Sequence, residues 1–237
     1  MIKLAMVGKT LIHNYPYAAW FNGADDEVLA QRCTKAWLLE LVRGRFPEPR
    51  AAEARITHVW AGVQAEAEAV AASCRIEHVC ATVEQAIEPV EGVLVLDEEL
   101  DFRTAIVERC LQLGKLVFVD KTPALDPERT RELVALAQDR GVVLAAWSQL
   151  LFAAEAEPFR ALEGGAGLVT FNLAPDIVHK YGIHLVCSAF AAFGDEPARL
   201  SRVTAEGTLP VVVLHYADGK DVLLRAGADL PARGTVA

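Results

Sequence analysis

The stretch KLAMVGKTLIHN, residues 3–14, decides which fold the rest of the chain can form. An apolar run ends at Gly8, and Lys9 and Thr10 follow directly. This pattern is typical of a buried strand that leads into a nucleotide-binding loop. A phosphate-binding lysine loop would need a glycine five residues before Gly8 to open the backbone, and Lys3 holds that position. The pattern therefore argues against a nucleoside triphosphatase. It leaves a dinucleotide-binding turn or a strand that simply ends in glycine.

The composition indicates a folded, acidic globular protein. Of the 237 residues, 53% are hydrophobic, which supplies enough apolar surface for one large domain or two modest ones. The formal net charge of −9 disfavours a nucleic-acid partner, because the long-range field would repel a polyphosphate backbone. No apolar run approaches the roughly 18 residues of a membrane span, so no membrane partner is expected. The cysteines form no C-x-x-C pair and predict reduced thiols in a cytoplasmic protein: Cys33, Cys74, Cys80, Cys110 and Cys187.

Strands and helices alternate through the first part of the chain. One helix is predicted to open with Asp126 as its cap and Pro127 at its first position, and to end at Gly141. A longer helix is predicted over residues 25–43. The alternation predicts a Rossmann-like, doubly wound parallel sheet whose strands are buried on both faces. The predicted strands are IKLAMVG, ARITHVWAG, IEHVCAT, GVLVLD, KLVFVD and VVLAAW.

Around Ser148 the pattern changes. The pieces LVTFNL, RVTAEG and LPVVVLHYADGKDVLLRAG predict antiparallel strands, with residues 217–220 as a hairpin turn. We therefore expect a Rossmann-like dinucleotide-binding domain over residues 1–147 and a short α+β substrate or oligomerisation domain over residues 148–237. Alternate residues of LPVVVLHY would leave an apolar face that needs covering, which predicts a homodimer or a larger homo-oligomer.

One long stretch resembles the Gfo/Idh/MocA family, the nicotinamide-dependent relatives of glucose-fructose oxidoreductase and inositol dehydrogenase. Residues 92–144 resemble the family's fourth to sixth strands. The family's Glu-Lys-Pro signature corresponds here to Asp120, Lys121 and Thr122. Further on, HKYGIHLVCSAFAAFG resembles the family's Asp-x-Gly-x-His-x-x-Asp helix and matches its histidine at His184. The resemblance covers roughly residues 1–225.

The resemblance implies an NAD(P)-dependent oxidoreductase that transfers hydride to or from a small hydroxylated or carbonyl substrate. Lys121 and His184 would form its catalytic pair, with the ammonium polarising the reacting oxygen and the imidazole handling the hydroxyl proton. The alternatives are a solvated lysine in a strand-to-helix loop and a histidine at the edge of a core.

The dinucleotide loop departs from the family pattern. Relatives carry G-x-G-x-x-G, whereas only Gly8 remains here. No acidic residue follows the second strand to hold the adenosine ribose. A helix cap is expected at Asn14 or Tyr15, Arg103 is expected on a helix surface, and no metal site is expected. The residues predicted to hold NAD or NADP are Gly8, Lys9, Thr10, His13, Asp97 and Lys121.

Two classes of function therefore remain open. The first is the oxidoreductase with a small-molecule substrate, favoured by the presence of both Lys121 and His184. The second is a cofactor-poor, non-catalytic protein that keeps the fold for binding or assembly. The lost glycines, the missing ribose acid and the short second domain favour that second class.

Overall fold

The computed structural model describes residues 1–9, 11–46, 48–49, 51–160, 165–173, 178–204, 211–227, 230 and 235–236. Contacts within the chain divide it into two units, Met1–Ala146 and Trp147–Ala237. Each unit is described by itself.

The apolar runs of the first half form the strands of one sheet: β1 (Ile2–Val7), β2 (Ala54–Trp60), β3 (His78–Val79), β4 (Gly92–Val95), β5 (Leu116–Asp120) and β6 (Leu144–Trp147). Their order is β3-β2-β1-β4-β5-β6, the strand order of a Rossmann fold. β1 pairs in parallel with β2 and β4, and β4 pairs in parallel with β5. The prediction of a Rossmann-like doubly wound sheet is confirmed.

Both faces of the sheet are buried. Successive side chains of a strand point to opposite faces, so each strand contributes residues to two buried clusters. In β1, Met6 belongs to one buried cluster, whereas Ala5 and Val7 belong to the other. In β4, Leu94 joins the cluster of Met6, while Val93 joins that of Ala5 and Val7. The apolar character of these runs therefore follows from having helices on both sides.

Helices connect the strands: α1 (Leu11–Asn22), α2 (Asp26–Arg32), α3 (Ala36–Arg45), α4 (Gln64–Ser73), α5 (Val83–Ile87), α6 (Leu100–Gln112) and α7 (Pro127–Arg140). The predicted boundaries of α7 are confirmed. The Asp126 side chain accepts the amide of Glu128, and Gly141 ends the helix with a φ of 64°.

The single helix predicted over residues 25–43 is wrong, because α2 and α3 are separate. Asp25 caps α2, which ends where Cys33 becomes extended. Leu29 and Leu38 are both buried, at 1% exposure each. Nine residues at 100° each would place them on opposite sides of one continuous helix. The break allows both to face the core.

The second unit contains a mixed sheet of mostly antiparallel pairs, as predicted. The strands are β7 (Ala166–Phe171), β8 (Arg199–Arg202), β9 (Val211–His215), β10 (Asp221–Ala226) and β11 (Thr235–Val236), in the order β11-β7-β10-β9-β8. Antiparallel pairs join β8 to β9, β9 to β10 and β11 to β7, whereas β7 and β10 are parallel. The chain reverses between β9 and β10, where the Tyr216 amide donates to the Lys220 carbonyl. The helices are α8 (Glu157–Arg160) and α9 (Val178–Phe193), after 3₁₀ segments at Gln149–Phe152 and Ala154–Ala156.

The two faces of this second sheet differ. Residues such as Val222 and Leu224 pack into the core that α9 covers. The opposite face carries a cross-strand row in which Leu223 pairs with Val213 on one side and with Leu168 on the other. Leu168 is 36% exposed. Among the described residues, no helix is both long enough and apolar enough to cross a membrane.

Candidate active site

Lys121 stands at the carboxyl edge of the first sheet, directly after β5. Gly8 follows β1 at the same edge, since the two strands lie in one parallel sheet. Lys121 is 4% exposed and has a φ of 80°. A positive φ is uncommon for a residue with a β-carbon, and such strain clusters at functional sites. The backbone thus holds this lysine in a costly, specific conformation.

Four ionisable side chains, which we call the Lys121 cluster, meet at this edge: His13, Glu98, Asp120 and Lys121. The Lys121 Nζ lies 3.5 Å from Glu98 Oε1, 3.9 Å from Asp120 Oδ2 and 3.4 Å from His13 Nε2. His13 Nδ1 lies 3.1 Å from Asp120 Oδ2. Two carboxylates surround one ammonium, so the buried positive charge of the lysine is compensated.

Burial changes the proton affinities around the cluster. It lowers the pKa of His13, an effect that the nearby Asp120 opposes and Lys121 reinforces. The Tyr17 hydroxyl donates to Asp120 Oδ1 at 3.4 Å. Burial, and then the negative charge of Asp120, raises the pKa of Tyr17 well above its ordinary value. Tyr17 therefore remains a neutral hydrogen-bond donor.

Asp97 ties together the loops that follow β1 and β4. Its Oδ2 accepts the Lys9 amide at 2.9 Å, and its Oδ1 accepts the Glu99 amide at 2.8 Å. It is 3% exposed. The loops can approach because Gly8 has no side chain, since a Cβ there would lie 2.7 Å from the carbonyl carbon of Leu96. Asp97 thus shapes the loop that starts at Gly8.

The Lys9 side chain extends over the same edge. Its Nζ contacts Glu99 Oε2 at 2.6 Å and lies 4.1 Å from the centre of the Phe102 ring. The hydrogen bond to Glu99 raises the pKa of Lys9. The side chain is 41% exposed, so it can be reached from solvent. Thr10, the next residue predicted to bind the cofactor, lies outside the described residues.

Two local expectations are wrong. Helix α1 begins at Leu11 instead of at a cap near Asn14, whose buried side-chain amide donates to the Gly8 carbonyl at 3.0 Å. Arg103 is 3% exposed instead of lying on a helix surface. Its guanidinium donates to the Asp97 carbonyl at 3.0 Å and to Thr122 Oγ1 at 3.2 Å. Burial lowers the pKa of Arg103. A buried arginine needs such acceptors. The folded loops bring them to Arg103, and the sequence pattern did not indicate this.

His184 lies on α9 in the second unit. Its Nδ1 is 2.6 Å from Ser148 Oγ, and that oxygen accepts the Leu150 amide at 3.2 Å. The Ser148 hydroxyl has two lone pairs, so it can accept the Leu150 amide and also a proton carried on Nδ1; in that tautomer the Nε2 lone pair of neutral His184 is open to a proton. The ring also stacks on Phe171, with centroids 5.7 Å apart. Ser148 is 1% exposed and orients the imidazole, a role that the sequence analysis missed because the two residues are far apart in sequence.

The residues at the edge of the first sheet fit a nicotinamide dinucleotide with an altered set of contacts. Gly8 keeps the tight turn after β1, and an exposed ammonium at Lys9 stands where relatives offer glycine amides. The Lys9 amide itself is engaged by Asp97. Within the parts of the chain that the structure describes, no group of three or more His, Cys, Asp or Glu residues could hold a metal ion.

Comparison with known proteins gives one family. Residues 2–147 match the model of the GFO_IDH_MocA family, described as an oxidoreductase family with an NAD-binding Rossmann fold. No curated protein matches the chain by sequence. The prediction of an NAD(P) cofactor is thereby confirmed at the level of the family's dinucleotide-binding domain.

Several solved structures share the fold at low identity. One is a proposed myo-inositol dehydrogenase from Sinorhizobium meliloti (18% identity, TM-score 0.63, 100% of this chain and 76% of that chain). Another is an oxidoreductase from Agrobacterium radiobacter in complex with NAD⁺, L-tartaric acid and magnesium (14%, 0.68, 99% and 70%). A third is biliverdin reductase from Synechocystis with biliverdin and NADP⁺ (16%, 0.60, 98% and 74%). At these identities the similarity concerns the fold alone.

Proposed function

The chain belongs to the Gfo/Idh/MocA oxidoreductases, and from that premise we propose that it transfers hydride between NAD or NADP and a small hydroxylated or carbonyl substrate. The observation that carries the proposal is Lys121, a buried lysine with a left-handed backbone at the sheet edge where ligands of this fold bind. A purely structural loop lysine would be solvated. Two carboxylates balance the positive charge of Lys121, and a histidine nitrogen lies within hydrogen-bond distance of its ammonium.

In this proposal the first domain, residues 1–147, holds the dinucleotide. Lys9 supplies a positive charge for the pyrophosphate, in place of the amides of the missing glycines. Gly8, Thr10 and His13 contribute from the same turn, and Asp97 keeps that turn in position through the Lys9 amide. The bound nicotinamide supplies the hydride acceptor or donor.

Lys121 and His184 are the proposed catalytic pair. The Lys121 ammonium stabilises negative charge on the reacting oxygen. His184 takes the hydroxyl proton in oxidation and returns it in reduction, oriented by its hydrogen bond to Ser148. The second domain, residues 148–237, provides substrate contacts. The tartrate-bound and inositol-dehydrogenase-like neighbours support a substrate rich in hydroxyl groups.

The test combines binding with turnover. Dinucleotide binding is read from the melting temperature, and hydride transfer from nicotinamide absorbance with a panel of sugars, inositols and short hydroxy acids. The proposal predicts that Lys121→Met and His184→Asn each lower turnover by a factor of about 10² to 10⁴. Matched control variants, Lys35→Met and His179→Asn at exposed positions, should keep wild-type turnover.

Two results would contradict parts of this proposal. If neither dinucleotide shifts the melting temperature and no substrate changes the absorbance, the non-catalytic binding or assembly protein replaces the enzyme. If His184→Asn lowers only the melting temperature and not the turnover of the folded protein, His184 is a core residue.

We further propose that two copies of the chain associate through the face of the second sheet opposite α9, on which Leu168 is 36% exposed. The apolar row formed by Leu168, Val213 and Leu223 would be buried between the copies. Leu223→Arg should convert the dimer to a species of 25.7 kDa in light scattering. A wild-type protein that already scatters as a 25.7 kDa species at micromolar concentration would contradict this.

The cysteines are free and buried, which suits the proposed cytoplasmic location.

A further inference from the structure

His13 lies between two groups with opposite hydrogen-bonding capacity. Its Nδ1 is 3.1 Å from Asp120 Oδ2, and its Nε2 is 3.4 Å from Lys121 Nζ. An ionised carboxylate only accepts hydrogen bonds, so Nδ1 must carry a proton. An ammonium only donates, so Nε2 must present its lone pair. The neutral ring satisfies both neighbours in one tautomer, with the proton on Nδ1.

We propose that His13 is a positioning residue for Lys121: Asp120 fixes the imidazole in the Nδ1–H tautomer, Nε2 accepts the lysine ammonium, and protonation of His13 removes this acceptor. The consequence for turnover rests on the proposed function, in which Lys121 acts on the reacting oxygen. His13 occupies the first turns of α1, within the stretch that departs from the glycine pattern.

The charges around the ring support a switch between two arrangements. When Nε2 gains a proton, it faces the ammonium as a second positive charge 3.4 Å away. Glu98 Oε1 lies 3.7 Å from Nε2 and 3.5 Å from the lysine Nζ, so this carboxylate can also stabilise the imidazolium. Asp120, from the end of β5, stabilises the imidazolium, and Tyr17, from α1, donates to the other oxygen of that carboxylate. Protonation therefore exchanges the His13–Lys121 contact for a His13–Glu98 contact.

Burial favours the neutral form in which Lys121 is held. Desolvation lowers the pKa of His13, so the ring stays neutral near physiological pH. Above the pKa of His13, Lys121 should keep its contact with the imidazole, and below that pKa it should lose this contact while the two carboxylates still lie beside it. Protonation of His13 should then contribute to the acid limb of the pH dependence of turnover, in addition to protonation of His184, the proposed base.

Nuclear magnetic resonance on the unaltered protein without substrate tests the tautomer. In isotope-labelled protein, the nitrogen shifts of His13 at neutral pH should report a proton on Nδ1 and a bare Nε2. A predominant Nε2–H tautomer would overturn the proposal. This measurement needs no substitution, so it remains decisive even if a variant of the cluster fails to fold.

Titration of variants tests the coupling. Lys121→Met should raise the pKa of His13, and Asp120→Asn should lower it, each by more than about half a unit. The resonances of His58 and His78, which pair with each other on β2 and β3, are the internal control and should not move. Unchanged titration of His13 in both variants would refute the coupling.

Turnover provides the second arm. Gln at position 13 can still offer an oxygen to Lys121 but cannot titrate, so His13→Gln should lower kcat less than His13→Ala does and should remove the contribution of His13 to the acid limb of kcat/KM. His13→Ala should lower kcat at all pH values. An acid limb unchanged in His13→Gln would refute the assignment. If the resonances behave as expected but no substrate is turned over, the hydride-transfer function fails and the His13–Lys121 geometry stands.

Discussion

Asp97→Asn is expected to destabilise the first domain although the substitution hardly changes the shape of the side chain. Asp97 is 3% exposed and accepts two backbone amides, from Lys9 and Glu99. In asparagine one oxygen becomes an NH₂ group, which faces an N–H donor and loses a charge-assisted bond of about 1.5–3 kcal/mol. The other bond becomes neutral and weakens by about 1 kcal/mol. The free energy of unfolding should fall by about 2.5–4 kcal/mol.

Urea unfolding followed by circular dichroism measures this change. The midpoint should fall while the slope stays constant, because the surface exposed on unfolding is the same. The matched control is Asp139→Asn, an exposed position near the end of α7, which should change the free energy by less than about 0.5 kcal/mol. If Asp97→Asn is as mild as this control, the two amide contacts do not hold the loop and the reasoning is refuted.

Three further predictions concern the same edge of the sheet. Gly8→Ala should cost about 1–3 kcal/mol of unfolding free energy in denaturant titration, because the new Cβ would lie 2.7 Å from the Leu96 carbonyl carbon; an unchanged midpoint would contradict the close approach. Lys9→Met should weaken NADH binding roughly 10- to 100-fold in calorimetry while leaving stability nearly unchanged, through loss of a charge-assisted contact worth about 1.5–3 kcal/mol; equal affinity would exclude Lys9 from the cofactor site. The lowered pKa of His13 means that the unfolded state binds more protons, so stability should fall as pH drops below about 6.5. His13→Gln should flatten that part of the curve of unfolding free energy against pH; an identical slope would show that His13 does not titrate there.

The sequence alone determined the architecture of the first domain. The spacing of apolar residues is a local signal, and it identified the strands. The residues at element ends are also local signals: Gly8 ends the first strand, and Asp126 and Gly141 mark the ends of α7. The parallel, doubly wound sheet also followed from general rules, since alternating strands and helices have few allowed topologies. Lys121 was recognised through the resemblance of residues 120–122 to the family's Glu-Lys-Pro signature, and its place after a strand agrees with where this fold binds ligands.

The tertiary structure alone decided what surrounds these residues. The contacts of Lys121 with Glu98 and His13 join segments that follow three different strands, and no spacing in the sequence encodes their approach. The helix predicted over residues 25–43 is two helices in the structure, because the break lets both Leu29 and Leu38 be buried. Arg103 is buried for a similar reason, since a carbonyl and a hydroxyl group accept hydrogen bonds from its two terminal nitrogens. Local pattern fixes an element, whereas charge compensation and burial are properties of distant residues brought together by folding.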